Sequence, residues 1–236
     1  TYSDFLNLNE QNILHTLPKD KLFTRTVSFG GYATAERQMA AFIPDALYLR
    51  WGKKNAVPED IDYPFRVLKI APLNKKFAEE LSHRDYLGAV LNLGIERSKT
   101  GDILVDGNNA LIFVHRDMTE VILRELTRVR HTSVRVDEIP VSEISYEPAC
   151  EEIRGTVASV RLDSLLALAF SSSRTRLTGL IEGAKVYVNG RLVTSNGYQP
   201  AEGDIVSVRG MGKFRFESSG SRTRKNRITV VICKYV

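Results

Sequence analysis

The chain has 236 residues, 43% of them hydrophobic, with no low-complexity tract and two cysteines. That composition suits two compact domains and excludes broad disorder. The longest apolar run, Leu165 to Phe170, is far too short for a bilayer span, and no basic region followed by an apolar stretch opens the chain as a secretory signal would. Net charge is +5 but polarised: from Arg154 onward fourteen basic residues stand against five acidic ones, +9, while the first 153 residues carry nineteen against twenty-three, −4.

In chain order, residues 3–17 place Phe5, Leu6, Ile13, Leu14 and Leu17 on a roughly helical spacing ended by Pro18, which predicts a helix. A strand is expected at Thr24–Phe29. "GGYATAERQMAAF" then reads as a turn into a helix. "ALYLRW" and "FRVLKIA" read as strands round the loop "KKNAVPEDIDYP". Together these make a small N-terminal α/β unit, residues 1–73.

Ser82 starts a helix with Leu87, Val90 and Leu91 on one face. "DILVDGNNALIFV" makes two strands round a turn at Asp106–Asn109. Asp117 is expected to cap the next helix with Glu120 in a capping box, above a stripe of Met118, Val121, Ile122, Leu126 and Val129. "SVRVDEI" closes the series. With a first strand at either Phe65–Ala71 or Lys75–Glu79, the order gives a ferredoxin-like (RRM-like) βαββαβ domain, residues 74–145. Base stacking on its sheet has little support, because the central strands offer Phe113 alone, which reads as core, and "SVRVDEI" adds only Arg135.

The acidic, Pro-containing stretch "PVSEISYEPACEEIRGTV" forms the second boundary, and residues 154–236 form a self-contained basic module. Leu162, Leu165, Leu166 and Ala169 make one helical stripe; Leu177, Leu180 and Ile181 make another, stopped at Gly183 in an αL position. Asn189-Gly190 between "KVYV" and "RLV" signals a hairpin, and "EGD" turns the chain into the strand "IVSVR". Ser172 or Ser173 is the natural cap of the second helix, which puts Arg174 and Arg176 in its first turn. Cations there cost about 0.3–1 kcal/mol each unless an anion takes the helix terminus. A hydroxyl, bare N–H groups and two guanidinium forks make a phosphate site. The tetrapeptide "SRTR" recurs at Ser221–Arg224, where it reads as the start of a returning hairpin strand. Lys213, Arg215, Arg222, Arg224, Lys225 and Arg227 make that hairpin either a basic flap extending the RNA surface or a mobile solvated loop, and Arg209 joins them as a candidate RNA contact.

"RLDSLLALAFSSSRTRLTGLIEGAKVYVNGRLV" with "AEGDIVSVRG" resembles the S-four RNA-binding module, over about sixty residues. The resemblance implies a two-helix-and-hairpin grip on structured RNA, with Arg161, Arg174, Arg176, Lys185, Asn189 and Arg191 as contacts. Gly179 in mid-helix departs from a good helix former at a cost of about 1 kcal/mol relative to Ala. Over the whole chain, "GGY-x-x-AER", "HRDYLG-x-x-LNLGIERSKTGDI" and "RG-x-GKFRF" resemble the YlmH family of bacterial S-four-domain proteins, of the cell-division gene neighbourhood. That implies a non-enzymatic cytoplasmic RNA-binding protein on rRNA or tRNA, the large ribosomal subunit and rescue of stalled ribosomes included. Protein partners through the N-terminal domains are a further expectation.

Other motifs fail. His83-Arg84-Asp85 spells a kinase tripeptide but lacks the accompanying Asn, Gly-rich loop and "DFG". The four histidines and Cys150 and Cys233 show neither metal-ligand spacing nor a pairing motif, so no metal, cofactor or disulfide is expected, in keeping with a reduced setting. An RNA-modifying enzyme remains the alternative, and it would need a pocket lined by residues such as Tyr32, Glu36, Arg37, Arg84 and Asp85. A protein-interaction adaptor in a division complex is the other.

Overall fold

The computed structural model describes residues 1–18, 20–46, 61–144, 146 and 149–235. The chain divides into two compact units, Thr1–Asn7 with Leu17–Tyr146, and Leu8–Thr16 with Glu147–Val236.

Unit 1 opens with a three-stranded antiparallel sheet of β1 (Tyr2–Leu6), β2 (Arg25–Phe29) and β3 (Gln38–Ile43), in the order β1-β3-β2. This corrects two expectations. The helix predicted over 3–17 begins only at Leu8. Phe5 sits instead in the ladder opposite Met39, 1% exposed, whereas Ile13 of the supposed buried stripe is 60% exposed. "QMAAFI", predicted helical, is the central strand β3; pairing on both edges and burial of Met39, Ala40, Ala41 and Ile43 override the helical propensity of its residues. Of the expected strand "ALYLRW" and the loop after it, residues 47–60 lie outside the described residues.

The second sheet of unit 1 holds β4 (Phe65–Pro72), β5 (Thr100–Asp106), β6 (Asn109–His115), β7 (Arg128–Val129) and β8 (Thr132–Ile139), in the order β5-β6-β4-β8-β7. Helix α2 (His83–Leu91) joins β4 to β5, and α3 (Thr119–Glu125) joins β6 to the β7–β8 ribbon. The helix in chain order between residues 8 and 16, described with unit 2, is α1 (Leu8–Thr16). Of the two candidate first strands, Phe65–Pro72 is the one formed, and Lys75–Phe77 is a 3₁₀ turn. Because β4 is hydrogen-bonded between β6 and β8, this sheet runs across the boundary expected at 73/74. The cap predicted at Asp117 also moves. A 3₁₀ turn, Arg116–Met118, precedes α3, and Asp117 N–H donates to the His115 ring nitrogen at 3.3 Å.

Alternation along these strands feeds two separate cores. Leu68, Ile70, Ile112 and Val114 face α2 and α3, packing with Tyr86, Val90, Ile122 and Leu126. Phe65, Val67 and Phe113 point the other way, into a cluster with Phe5, Met39, Ala41 and Tyr63 of the N-terminal segments. The five-stranded sheet is therefore covered on both faces.

Unit 2 is a six-stranded antiparallel sheet, order β11-β10-β12-β13-β14-β9, from β9 (Cys150–Val157), β10 (Val186–Val188), β11 (Arg191–Leu192), β12 (Ile205–Val208), β13 (Gly212–Arg222) and β14 (Ile228–Tyr235). Helices α4 (Leu162–Ala169) and α5 (Arg174–Glu182) bury Leu162, Leu165, Leu166, Leu177 and Ile181 against Val186, Val206, Phe214, Phe216 and Ile232. At about 1.5–3 kcal/mol per buried side chain this face dominates the stability of the unit. The stretch expected as a linker to residue 153 is in fact ordered from Cys150, as the edge strand β9, and most of its positions are solvent-facing, so no apolar alternation announces it. Cys150 and Cys233, expected to be unpaired, lie on the neighbouring strands β9 and β14 and are joined as a disulfide, Cα atoms 5.5 Å apart. Their 83-residue separation in the sequence hides that adjacency. Finally, α5 does stop at Gly183, but the left-handed residue is Ala184 (φ 57°), not Gly183 (φ −78°).

Candidate nucleic-acid interface

The start of α5 is built as the sequence suggests. Ser173, extended at φ −65° and ψ 142°, is the cap, and its hydroxyl accepts from Arg176 N–H at 3.4 Å. Arg174 is the first helical residue and Arg176 the third, with no acid in that turn. Ser172 is half-buried and Arg176 exposed. Gly179, in mid-helix, faces open space, so its cost is one of backbone entropy with no packing in return. Arg161 caps α4 and pairs with Asp163 at 3.2 Å.

Beyond α5 the basic residues fall into separate groups. Lys185 and Arg209 are brought together: Arg209 N–H donates to the Lys185 carbonyl at 2.9 Å, where β10 leaves α5 and β12 ends, and both side chains are exposed. On β13, Phe214 and Phe216 point into the core, Arg215 faces out and Lys213 is half-buried. Arg215 pairs with Glu217 at 2.6 Å and Lys213 lies 5.7 Å from the Tyr235 ring centroid. The second "SRTR" ends β13 and enters a turn, with Thr223 N–H on the Arg227 carbonyl at 2.7 Å; the returning strand begins only at Ile228. Arg224 and Lys225 are exposed at the tip. Arg222 donates to Asn226 at 2.7 Å, and Arg227 reaches the Thr156 hydroxyl at 2.9 Å and the Thr156 carbonyl. Among the described residues no hydrogen bond or ion pair ties the start of α5 to this hairpin tip.

The Asn189-Gly190 hairpin holds a feature that sequence reasoning missed. Both residues have positive φ, 48° and 75°, the geometry of a two-residue primed turn. The Asn189 side chain is already engaged, donating to Asp204 at 2.8 Å and accepting from Ile205 N–H at 2.9 Å. Helix α1 docks on this hairpin: Asn12 accepts from Leu192 N–H at 2.8 Å, the Tyr187 hydroxyl meets Asn9, and a Cβ on Gly190 would come within 2.9 Å of Gln11. Arg191 stays exposed beside His15, whose pKa is held below 6.5 by burial and then by that cation. The docking face of α1 is made of Asn and Gln, so no hydrophobic pattern could have shown it.

In unit 1 the motifs "GGYATAER" and "GIERSKTGD" bind each other. The Asp102 carboxylate accepts from the Tyr32 hydroxyl at 2.7 Å and from the Glu36 and Arg37 N–H groups at 2.7 and 3.1 Å. Burial, then Asp102, pushes the Tyr32 hydroxyl pKa far up. The buried Arg37 guanidinium donates to the carbonyls of Thr100, Phe5 and Arg97 at 2.9, 2.8 and 3.1 Å. Burial, then Arg37, brings Arg97 down to about 10. Gly31, at φ 98°, lies where a Cβ would strike the Phe113 ring at 2.2 Å, so the loop presses directly on the sheet. Arg84 and Asp85 line a cleft elsewhere in the unit, without Tyr32, Glu36 or Arg37. Asp85 accepts from Ser82 N–H and hydroxyl at 2.8 and 2.7 Å as part of a capping box, which draws its pKa down. The set named for an RNA-modifying pocket is thus not one pocket. Phe113 is fully buried, and Arg135 pairs with Asp137 at 2.8 Å.

Two family models match the chain: "Putative RNA-binding domain in YlmH" over residues 58–143 and "S4 domain", the S-four module, over residues 160–206. A curated relative from Bacillus subtilis (strain 168), named "Ribosome-associated protein quality control protein P2", is 29% identical over 226 residues, 95% of this chain and 83% of its own. A solved structure, "Cell division protein ylmH from Streptococcus pneumoniae", is 27% identical with a TM-score of 0.46, covering 61% of this chain and 80% of that one. No helix among the described residues is long and apolar enough to cross a membrane.

Proposed function

We propose, from the premise that the chain joins a YlmH-type RNA-binding domain to an S4 domain, that it is a non-enzymatic RNA-binding protein of the ribosome whose S4-domain unit grips structured RNA. The observation that carries this is the start of α5, where Ser173 caps a turn holding Arg174 and Arg176 and no acid. A helix so arranged is disfavoured by its own dipole until an anion arrives. Lys185 with Arg209, Arg191, and the hairpin tip of Arg224 and Lys225 add further exposed cations in unit 2, and the +9 charge from Arg154 onward supplies long-range attraction to a polyanion. A grip by backbone and shape suits A-form RNA, whose deep groove side chains cannot read.

The name of the curated relative supports the ribosome as the setting and protein quality control as the process, and rescue of stalled ribosomes is the finer reading that the family resemblance implies. That setting is cytoplasmic, a compartment in which a disulfide such as Cys150–Cys233 is uncommon. The strand order of β4, β5, β6 and β8 supports reading that part of unit 1 as ferredoxin-like, from residue 65. A tie to cell division is a further implication of the resemblance, tested by capture of protein partners that survives RNase treatment.

The test is the full chain with Arg174→Ala and Arg176→Ala together, titrated with a fluorescein-labelled hairpin from rRNA at several salt concentrations. Each phosphate contact contributes about 0.7–0.9 to the slope of log affinity against log salt, so the double variant should bind more weakly with a slope flatter by about 1–2. Unchanged affinity and slope would remove α5 from the interface.

A further inference from the structure

Among the described residues both faces of the five-stranded sheet of unit 1 are covered, by helices on one side and the N-terminal segments on the other, which leaves bases no face to stack on. One end of the unit offers what the sheet does not. The loop after β4 is pinned at both ends to the start of β8: Leu73 N–H donates to the Ser133 carbonyl at 3.0 Å and Glu79 N–H to the Thr132 hydroxyl at 3.2 Å. Between the pins lies the 3₁₀ turn Lys75–Phe77, closed by Asn74, which accepts from Lys76 N–H at 3.0 Å. This tied-down turn presents Phe77 at 76% exposure, with Leu73 at 66% and the Lys76 ammonium 6.0 Å from the Phe77 ring centroid.

Next to the pins is a second basic element. Arg128 pairs with Ser133 and Val129 with Thr132, which leaves Arg130 and His131 as a two-residue turn. Arg130 adopts φ 51°, a conformation where Asn or Gly would be less costly. Arg84, Leu93, Leu126, Arg128 and Arg130 line a cleft of about 550 Å³ between α2 and β7. The acids at its rim are engaged, Asp85 by Ser82 and by Arg130 at 3.5 Å, Glu125 by Arg124 at 2.7 Å. Arg84 and Arg128 make no ion pair among the described residues.

We infer that this end of unit 1 is a second RNA site, for unpaired nucleotides: Phe77 stacks a base, and Arg84, Arg128 and Arg130 hold the flanking phosphates. A pinned, exposed aromatic that follows two lysines, beside an arginine-rimmed cleft, is the combination that binds single strands without reading sequence. Around Leu73 and Phe77 the charges are Lys75 and Lys76 against Glu79 and Glu80, and Arg84 and Arg128 tip the balance to positive, so charge favours RNA over a protein partner. The inference rests on the RNA-binding reading above and adds to it a different RNA form at a different place.

The experiment uses the full chain, a fluorescein-labelled twelve-nucleotide oligouridylate and a fully paired duplex. Phe77→Ala should weaken oligouridylate binding about tenfold, the scale of one lost base–aromatic stack, and leave duplex binding as it is. Arg84→Ala with Arg128→Ala should weaken oligouridylate binding and flatten its salt slope by about 1–2. In a Trp51→Phe background, which removes the single native tryptophan, Phe77→Trp should report the stacked base by quenched emission. Full oligouridylate affinity in Phe77→Ala, or emission unmoved at saturation, overturns the inference, as does a chain that binds the duplex but not the oligouridylate. A chain that binds neither RNA overturns the RNA-binding reading itself.

Discussion

Among single residues, chemical type and structural duty separate most clearly at Asn189. Its resemblance-based role is RNA contact, yet both ends of its amide are spent on Asp204 and Ile205 N–H, and its backbone sits at φ 48°. Asn is among the few residues that tolerate that conformation. Asn189→Ala should therefore cost about 1 kcal/mol of unit 2 stability through two lost hydrogen bonds and αL strain, seen as a lower thermal midpoint. Affinity for structured RNA should hardly move; weaker binding with an unchanged midpoint would return Asn189 to the interface, the salt slope being no guide because no cation is lost. The hairpin itself was legible because Asn-Gly has one dominant use. The occupation of the side chain was not, since Asp204 lies fifteen residues on and no local pattern pairs them. Asp102 shows the same limit, for its bonds to Tyr32, Glu36 and Arg37 join segments more than sixty residues apart.

At the scale of elements, the legible ones were those whose local pattern agreed with their burial: α2, α4, α5, the β5–β6 hairpin and β8. The misread ones were set by partners distant in sequence. β3 carries Met, Ala, Ala and Phe, good helix residues, but lies between β1 and β2; β9 gains its order from β14. Helix α1 is the extreme case, with Gln11 as its one buried residue and its docking to the β10–β11 hairpin made by polar side chains. That docking should respond to pH through His15. Burial and then Arg191 hold its folded pKa below 6.5, so between the folded value and about 6.5 the unfolded chain holds more protons than the folded one. Stability from α1 is complete above that window and is lost as pH falls through it. The Leu192 amide, which donates to Asn12, should exchange with solvent more readily at pH 5.5 than at pH 7.5 once intrinsic rates are corrected. His15→Gln should remove most of that difference. Equal protection at the two pH values in the unsubstituted chain would separate His15 from the docking.

For the whole molecule, charge and fold divide the chain in ways that only partly coincide. The +9 of the residues from Arg154 onward was plain in the sequence, but its division into groups was not, because Lys185 and Arg209 are 24 positions apart in the numbering and meet only through the β10–β12 ladder. Likewise Phe113 could be read as core from its surroundings. That the N-terminal segments seal the sheet face over it depends on β1 and β3 being strands. The consequence for RNA is a division of labour by charge. The Lys185–Arg209 corner carries two exposed cations on a stable main-chain bond, so Lys185→Ala with Arg209→Ala should leave the fold intact and the thermal midpoint unchanged. Affinity for a structured rRNA hairpin should fall, and the slope of log affinity against log salt should become shallower by about 1–2. An equal number of cations removed from paired positions, Arg135→Ala with Arg154→Ala, should change that slope less, because Asp137 and Glu152 already neutralise them. If the two double variants flatten the slope equally, the attraction is a matter of net charge alone; if only the corner variant does, the RNA touches that corner.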